Sequence, residues 1–125
     1  MNRILLIDDD DLVRETLTRS LRDAGFETES VASGQLAIQL LMSQPFDLVV
    51  TDIIMPDCDG IETINQITKG WPGLKIIAIS GGGLGSANLY LSTAEGLGAN
   101  LTLTKPFRPS ELVRAVERCL GRGNV

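Results

Sequence analysis

Short apolar runs alternate with amphipathic stretches along the whole chain, and this alternation restricts the fold more than any single motif. Ile4 to Ile7, Leu48 to Val50 and Ile76 to Ile79 contain no polar residue and have the length of strands covered on both faces. Leu101-Thr102-Leu103-Thr104 alternates with a period of two, and the polar segment Glu27 to Val31 reads as a strand at a sheet edge. Helical patterns fill the gaps. Leu12, Val13, Leu17, Leu21 and Ala24 are read as one helix face stopping at Gly25, while Ala37, Leu40 and Leu41 follow the N-cap candidate Ser33. Ile61, Ile64 and Ile67 follow Gly60, and Leu112, Val113, Val116 and Leu120 mark the last helix. A weaker fourth helix is expected from about Ala87 to Leu97, with Tyr90, Leu91, Ala94 and Leu97 on one side. Strand then helix, five times, predicts a doubly wound α/β domain with a five-stranded parallel sheet and five helices. The polar segment and LTLT suit the two edges, which fits the order 2-1-3-4-5.

The 125 residues suffice for one domain over residues 1–125, with no output domain expected, and 43% apolar residues suffice for a core. The apolar runs are too short to cross a bilayer and the amino terminus has no cleavage-site pattern, so a cytoplasmic protein is expected, with no membrane contact. A net charge of -5 and no Lys/Arg cluster argue against direct nucleic-acid binding. Cys58 and Cys119 are too few for a disulfide framework and lack zinc spacing. Histidine is absent, which excludes imidazole catalysis, His-ligated metal and a phosphohistidine on this chain.

In a doubly wound sheet, ligands gather at the carboxyl ends of the strands. Asp8-Asp9-Asp10-Asp11 follows ILLI, Asp52 follows LVVT, Ser80 follows IIAI and Lys105 follows LTLT. Carboxylates from two adjacent strands, a hydroxyl and an ammonium thus converge on one rim. Clustered carboxylates either take up protons or are neutralised by a cation, and hard oxygen ligands favour Mg²⁺. An aspartate beside bound Mg²⁺ can attack phosphorus, with a hydroxyl and an ammonium stabilising the phosphoryl oxygens. Asp10 and Asp11 read instead as helix-start residues, because aspartate caps helices and favours their N-terminal dipole.

The segments IDDDDLVRETL, TDIIMPDCDG, IIAIS and LTKPF together resemble the receiver domain of two-component response regulators, over nearly the whole chain. The resemblance implies a flavodoxin-like, chemotaxis response-regulator-like fold and a phosphorelay role. It implies that Asp52 accepts phosphate from a histidine kinase or histidine phosphotransfer protein. Asp9 would bind Mg²⁺ directly, Asp8 would support the metal, and the Ile54 backbone carbonyl would complete the protein ligands. Lys105 would pair with the acidic cluster before phosphorylation, and the Lys105-Pro106 bond would be cis. Such a domain catalyses only its own phosphorylation and dephosphorylation and controls a downstream protein target.

Three residues depart from the pattern: Ser80 stands where threonine is common, Thr102 where an aromatic switch residue is usual, and Gly81-Gly82-Gly83-Leu84-Gly85 makes a glycine-rich loop. A rotating ring at Thr102 cannot report the phosphorylated state. Phosphate drawn toward Ser80 is instead expected to order that loop and move the following helix. From Ile76 through Thr104 the only charged residue is Glu95, so the face of the fourth helix, fifth strand and fifth helix is the expected output surface and a candidate homodimer surface. A dinucleotide-binding reading of Gly81 to Ser86 is weak, because Ser86 replaces the last glycine and no βαβ unit opens there. Two alternatives to the receiver reading are a haloacid-dehalogenase-like phosphatase and an inert receiver-like binding module. The first needs a threonine at Leu12 or an aspartate at Ile54, and the second leaves the acid, hydroxyl and lysine set unexplained.

Overall fold

The computed structural model describes residues 2–53, 60–80, 96 and 98–121. Its elements in chain order are β1 (Arg3–Ile7), α1 (Asp11–Asp23), β2 (Glu27–Val31), α2 (Gly34–Ser43), β3 (Leu48–Asp52), α3 (Gly60–Gly70), β4 (Lys75–Ser80), β5 (Leu101–Thr104) and α4 (Pro109–Leu120). The five strands form one parallel sheet in the order β2-β1-β3-β4-β5, as the polarity of the runs predicts. The weak helix expected between about 87 and 97 lies almost wholly outside the described residues. Among the described residues no helix is long and apolar enough to cross a membrane.

Because successive side chains of a strand point to opposite faces, the all-apolar strands feed two cores. Leu5, Ile7, Val49, Ile76 and Ala78 pack with Ala37 and Leu41 of α2 and with Ile64 and Ile67 of α3. Ile4, Leu6, Leu48, Val50, Ile77 and Ile79 pack with Leu17 and Leu21 of α1 and with Leu112, Ala115 and Val116 of α4. Every residue of β3 is buried, whereas Glu27 and Glu29 of β2 are exposed at one edge. The sheet is therefore held from both sides, and its carboxyl rim inherits a fixed geometry.

Local signals set the helix ends. Asp10 caps α1, its side chain accepting from the N–H groups of Leu12 and Val13 at 3.0 and 3.1 Å, and Ser33 caps α2 by accepting from Leu36 N–H at 3.2 Å. Gly25, at φ 97°, makes the left-handed exit after α1. One expected core residue is corrected: Leu12 is 72% exposed. At about 100° per residue, Leu12 sits a quarter turn or more from Val13, Leu17, Leu21 and Ala24, so it cannot share their face.

Candidate functional site

Asp8 follows β1 and is almost fully buried, while Asp9 is exposed. Asp52 is the last residue of β3 and is 5% exposed. Their strands are adjacent in the sheet, which brings carboxylate oxygens of Asp8, Asp9 and Asp52 within 4.8 Å of one another. Lys105 enters from β5, two strands away from β3, and its Nζ donates to Asp52 Oδ2 at 2.9 Å and lies 3.8 Å from Asp8 Oδ2. Ser80 ends β4 fully buried, and its carbonyl accepts from the Lys105 backbone N–H at 2.8 Å. The Lys105-Pro106 peptide is cis, as the resemblance implies. Ile54 lies outside the described residues, as do Cys58 and the Gly81 to Gly85 loop.

Electrostatics fit a cation. Asp8 Oδ1 accepts from the Asp10 N–H at 2.9 Å, but buried Oδ2 has no hydrogen-bond partner. Burial pushes the Asp8 carboxyl above its ordinary pKa, helped by the charges of Asp52 and Asp9, against the Asp10 N–H and the Lys105 charge. Burial alone would lower the Lys105 pKa, but the hydrogen bond and charge of Asp52, followed by Asp8 and Asp10, raise it above the ordinary value. An orphaned carboxylate oxygen inside a three-carboxylate cluster is a hard-oxygen donor set of the kind Mg²⁺ takes.

Two features close the site from behind. Gly60 N–H donates to the Ile53 carbonyl at 2.8 Å, and a Cβ there would overlap the Ile53 carbonyl oxygen and Cα and the Asp52 oxygen. Only glycine permits that approach. Arg14 of α1 donates from Nη1 to the Asp8 carbonyl at 2.8 Å and from Nη2 to Asp11 Oδ1 at 2.6 Å. The opposite charges of Asp11 and Arg14 at i, i+3 are visible in the sequence, but the reach to a strand-end carbonyl is not. Asp10 and Asp11 are helix-start residues, as expected. Cys119 is half-buried and free, and burial pushes its thiol pKa up.

Residues 4–117 match the family model of the response regulator receiver domain. The chain belongs to the response regulator receiver family. CpdR, a response regulator receiver protein of Brucella abortus, is 36% identical over 120 residues, which are 96% of this chain and 98% of CpdR. SilR of Salmonella typhimurium and CusR of Escherichia coli are longer transcriptional regulatory proteins, 33% and 31% identical, and the chain spans 52% of the length of each. A CheY-like receiver domain protein from Methanospirillum hungatei superposes with a TM-score of 0.87 at 26% identity, covering 97% of this chain and 94% of that one. TrrA of Thermotoga maritima, solved in complex with Mg²⁺ and BeF, superposes with a TM-score of 0.83 at 31% identity, covering 95% of this chain and 99% of TrrA. This receiver domain has a phosphoacceptor signalling role in two-component systems, and receiver domains bind Mg²⁺ at an acidic pocket.

Proposed function

We propose that Asp52 is the phosphoacceptor and that a histidine kinase or histidine phosphotransfer protein is its donor. The observation that carries this reading is the buried Asp52 carboxylate, held 2.9 Å from Lys105 Nζ and clustered with Asp8 and Asp9. A carboxylate oxygen of Asp52 attacks phosphorus, and the bond from phosphorus to the donor imidazole nitrogen breaks, its electron pair returning to the ring. Asp8, Asp9, Asp52 and the Ile54 carbonyl would hold Mg²⁺, which when bound supplies positive charge to the phosphoryl oxygens. Lys105 loses its carboxylate partner as the new bond forms and turns to a phosphoryl oxygen, while the Ser80 hydroxyl donates to another. The TrrA complex supports this reading, because a Mg²⁺ and beryllofluoride pair occupies a domain of the same fold.

A groove of about 420 Å³ runs beside Lys105, lined by Leu12, Val13, Leu17, Pro106 and Phe107. The exposure of Leu12 belongs to this groove, which offers the donor protein an apolar seat next to Asp52. For output, β5 ends the sheet order and its Leu101 and Leu103 pack on the side of α4, so the face that β5 and α4 form with the helix expected near 87–97 meets the target, and a second copy is the alternative occupant. The protein acts by its own phosphorylation state and turns over no external substrate.

Acetyl phosphate with Mg²⁺ tests the function by intact mass. One phosphoryl group per chain, dependent on Mg²⁺, is the expected result. Continuous turnover without accumulation would mean a phosphatase, and no labelling would mean an inert binding module.

A further inference from the structure

Arg14 lies in the second turn of α1, yet its side chain is only 20% exposed, because it folds back over the start of its own helix. Nη1 donates to the Asp8 carbonyl at 2.8 Å, Nη2 pairs with Asp11 Oδ1 at 2.6 Å, and the Arg14 backbone N–H donates to the Asp10 carbonyl at 2.9 Å. One residue therefore ties down Asp8, Asp10 and Asp11. Asp9 sits between those anchors, and its side chain makes no hydrogen bond of its own among the described residues. Among the described residues no other side chain of α1 bridges the turn that carries Asp8 and Asp9.

We infer that Arg14 is a positioning residue: its fork locks the turn between β1 and α1 so that the Asp8 and Asp9 carboxylates face Asp52 before a cation arrives. The inference rests on the Mg²⁺ reading of that cluster. The physical reason is the shape of the guanidinium. Its planar pair of N–H groups spans a carbonyl and a carboxylate at once, which an ammonium on a flexible stem cannot do. Groups that hold ligands in place affect metal affinity without touching the metal. Repulsion among three carboxylates tends to spread them apart, and a clamp on the Asp8 carbonyl resists that spreading from the rear.

Arg14→Lys keeps the charge and removes the fork, so it separates geometry from electrostatics. The test is calorimetric Mg²⁺ titration of the full chain and the variant, with NMR amide exchange at Asp10 and thermal unfolding both measured in EDTA. The Asp10 N–H is the internal reporter, because it donates to Asp8 Oδ1 at 2.9 Å. Arg14→Lys is expected to weaken Mg²⁺ binding about tenfold and to speed Asp10 exchange in EDTA, with the metal-free unfolding temperature nearly unchanged. Unchanged Asp10 exchange or unchanged Mg²⁺ affinity in the variant overturns the inference. So does a loss of affinity matched by a general loss of metal-free stability, which would make Arg14 a helix staple only. A parent chain that binds no Mg²⁺ contradicts the metal site instead, and Asp10 exchange in EDTA still decides whether Arg14 holds the turn.

Discussion

Asp8 carries the sharpest conflict at the residue scale, since a nearly fully buried carboxylate with one orphaned oxygen opposes folding until something neutralises it. Its pKa is raised above the ordinary 3.8, so the folded chain holds this proton more tightly than the unfolded chain does. Proton linkage then makes metal-free stability fall as pH rises from about 3.8 through the raised pKa. Lys105 works at the other end of the scale: its raised pKa means a contribution present below the ordinary 10.5 and lost as pH climbs through the folded value. Asn at position 8 keeps an acceptor for the Asp10 N–H and removes the buried charge. Asp8→Asn is therefore expected to raise metal-free stability at pH 7 by about 1 kcal/mol and to flatten that acid-side slope while weakening Mg²⁺ binding. Thermal unfolding in EDTA across pH 4 to about 8 checks it; parallel profiles for parent and variant would show that Asp8 does not titrate in that window.

Four consecutive aspartates join β1 to α1, and the junction divides their work. Asp8 is buried under the strand end, Asp9 is left facing the cluster, Asp10 accepts from two helix N–H groups, and Asp11 pairs with Arg14. Asp9→Asn should weaken Mg²⁺ binding far more than Asp11→Asn, whereas Asp10→Ala should cost about 1 kcal/mol of stability as a lost cap. Metal titration and urea unfolding of the three variants separate these roles, and equal losses of Mg²⁺ affinity at 9 and 11 would contradict the division. Strands and their order were legible because β1, β3 and β4 are buried on both faces, which leaves runs such as ILLI and IIAI with nothing polar in them. The placement of Asp8, Asp9, Asp52, Ser80 and Lys105 on one rim was legible in the same way, because each stands at the carboxyl end of a strand segment. Leu12 departs from that pattern because an apolar residue in the first turn of an amphipathic helix looks like core until its angle about the axis is counted. Arg14 and the overlap at Gly60 were not legible, since both depend on how closely a helix approaches a strand end in space, a distance that no spacing along the chain encodes.

Across the described residues of the whole molecule, burial and charge keep apart except at one place. Among the described residues the only buried ionisable side chains of the core are Asp8 and Asp52, neighbours on the carboxyl rim of a sheet sealed by two apolar layers. A fold organised for stability alone would not bring two carboxylates together in such a setting with the buried Asp8 Oδ2 left without a hydrogen-bond partner. Lys105 supplies part of the compensation, and it is held by contacts that phosphorylation of Asp52 would break, which links the chemistry at β3 to the position of β5. Asp52 is thus the single carboxylate proposed to take the phosphoryl group. Intact-mass spectrometry of the parent and of Asp52→Asn after acetyl phosphate and Mg²⁺ tests this assignment most directly. One added phosphoryl group on the parent and none on the variant is the expected result; an undiminished adduct on Asp52→Asn would contradict the assignment of Asp52.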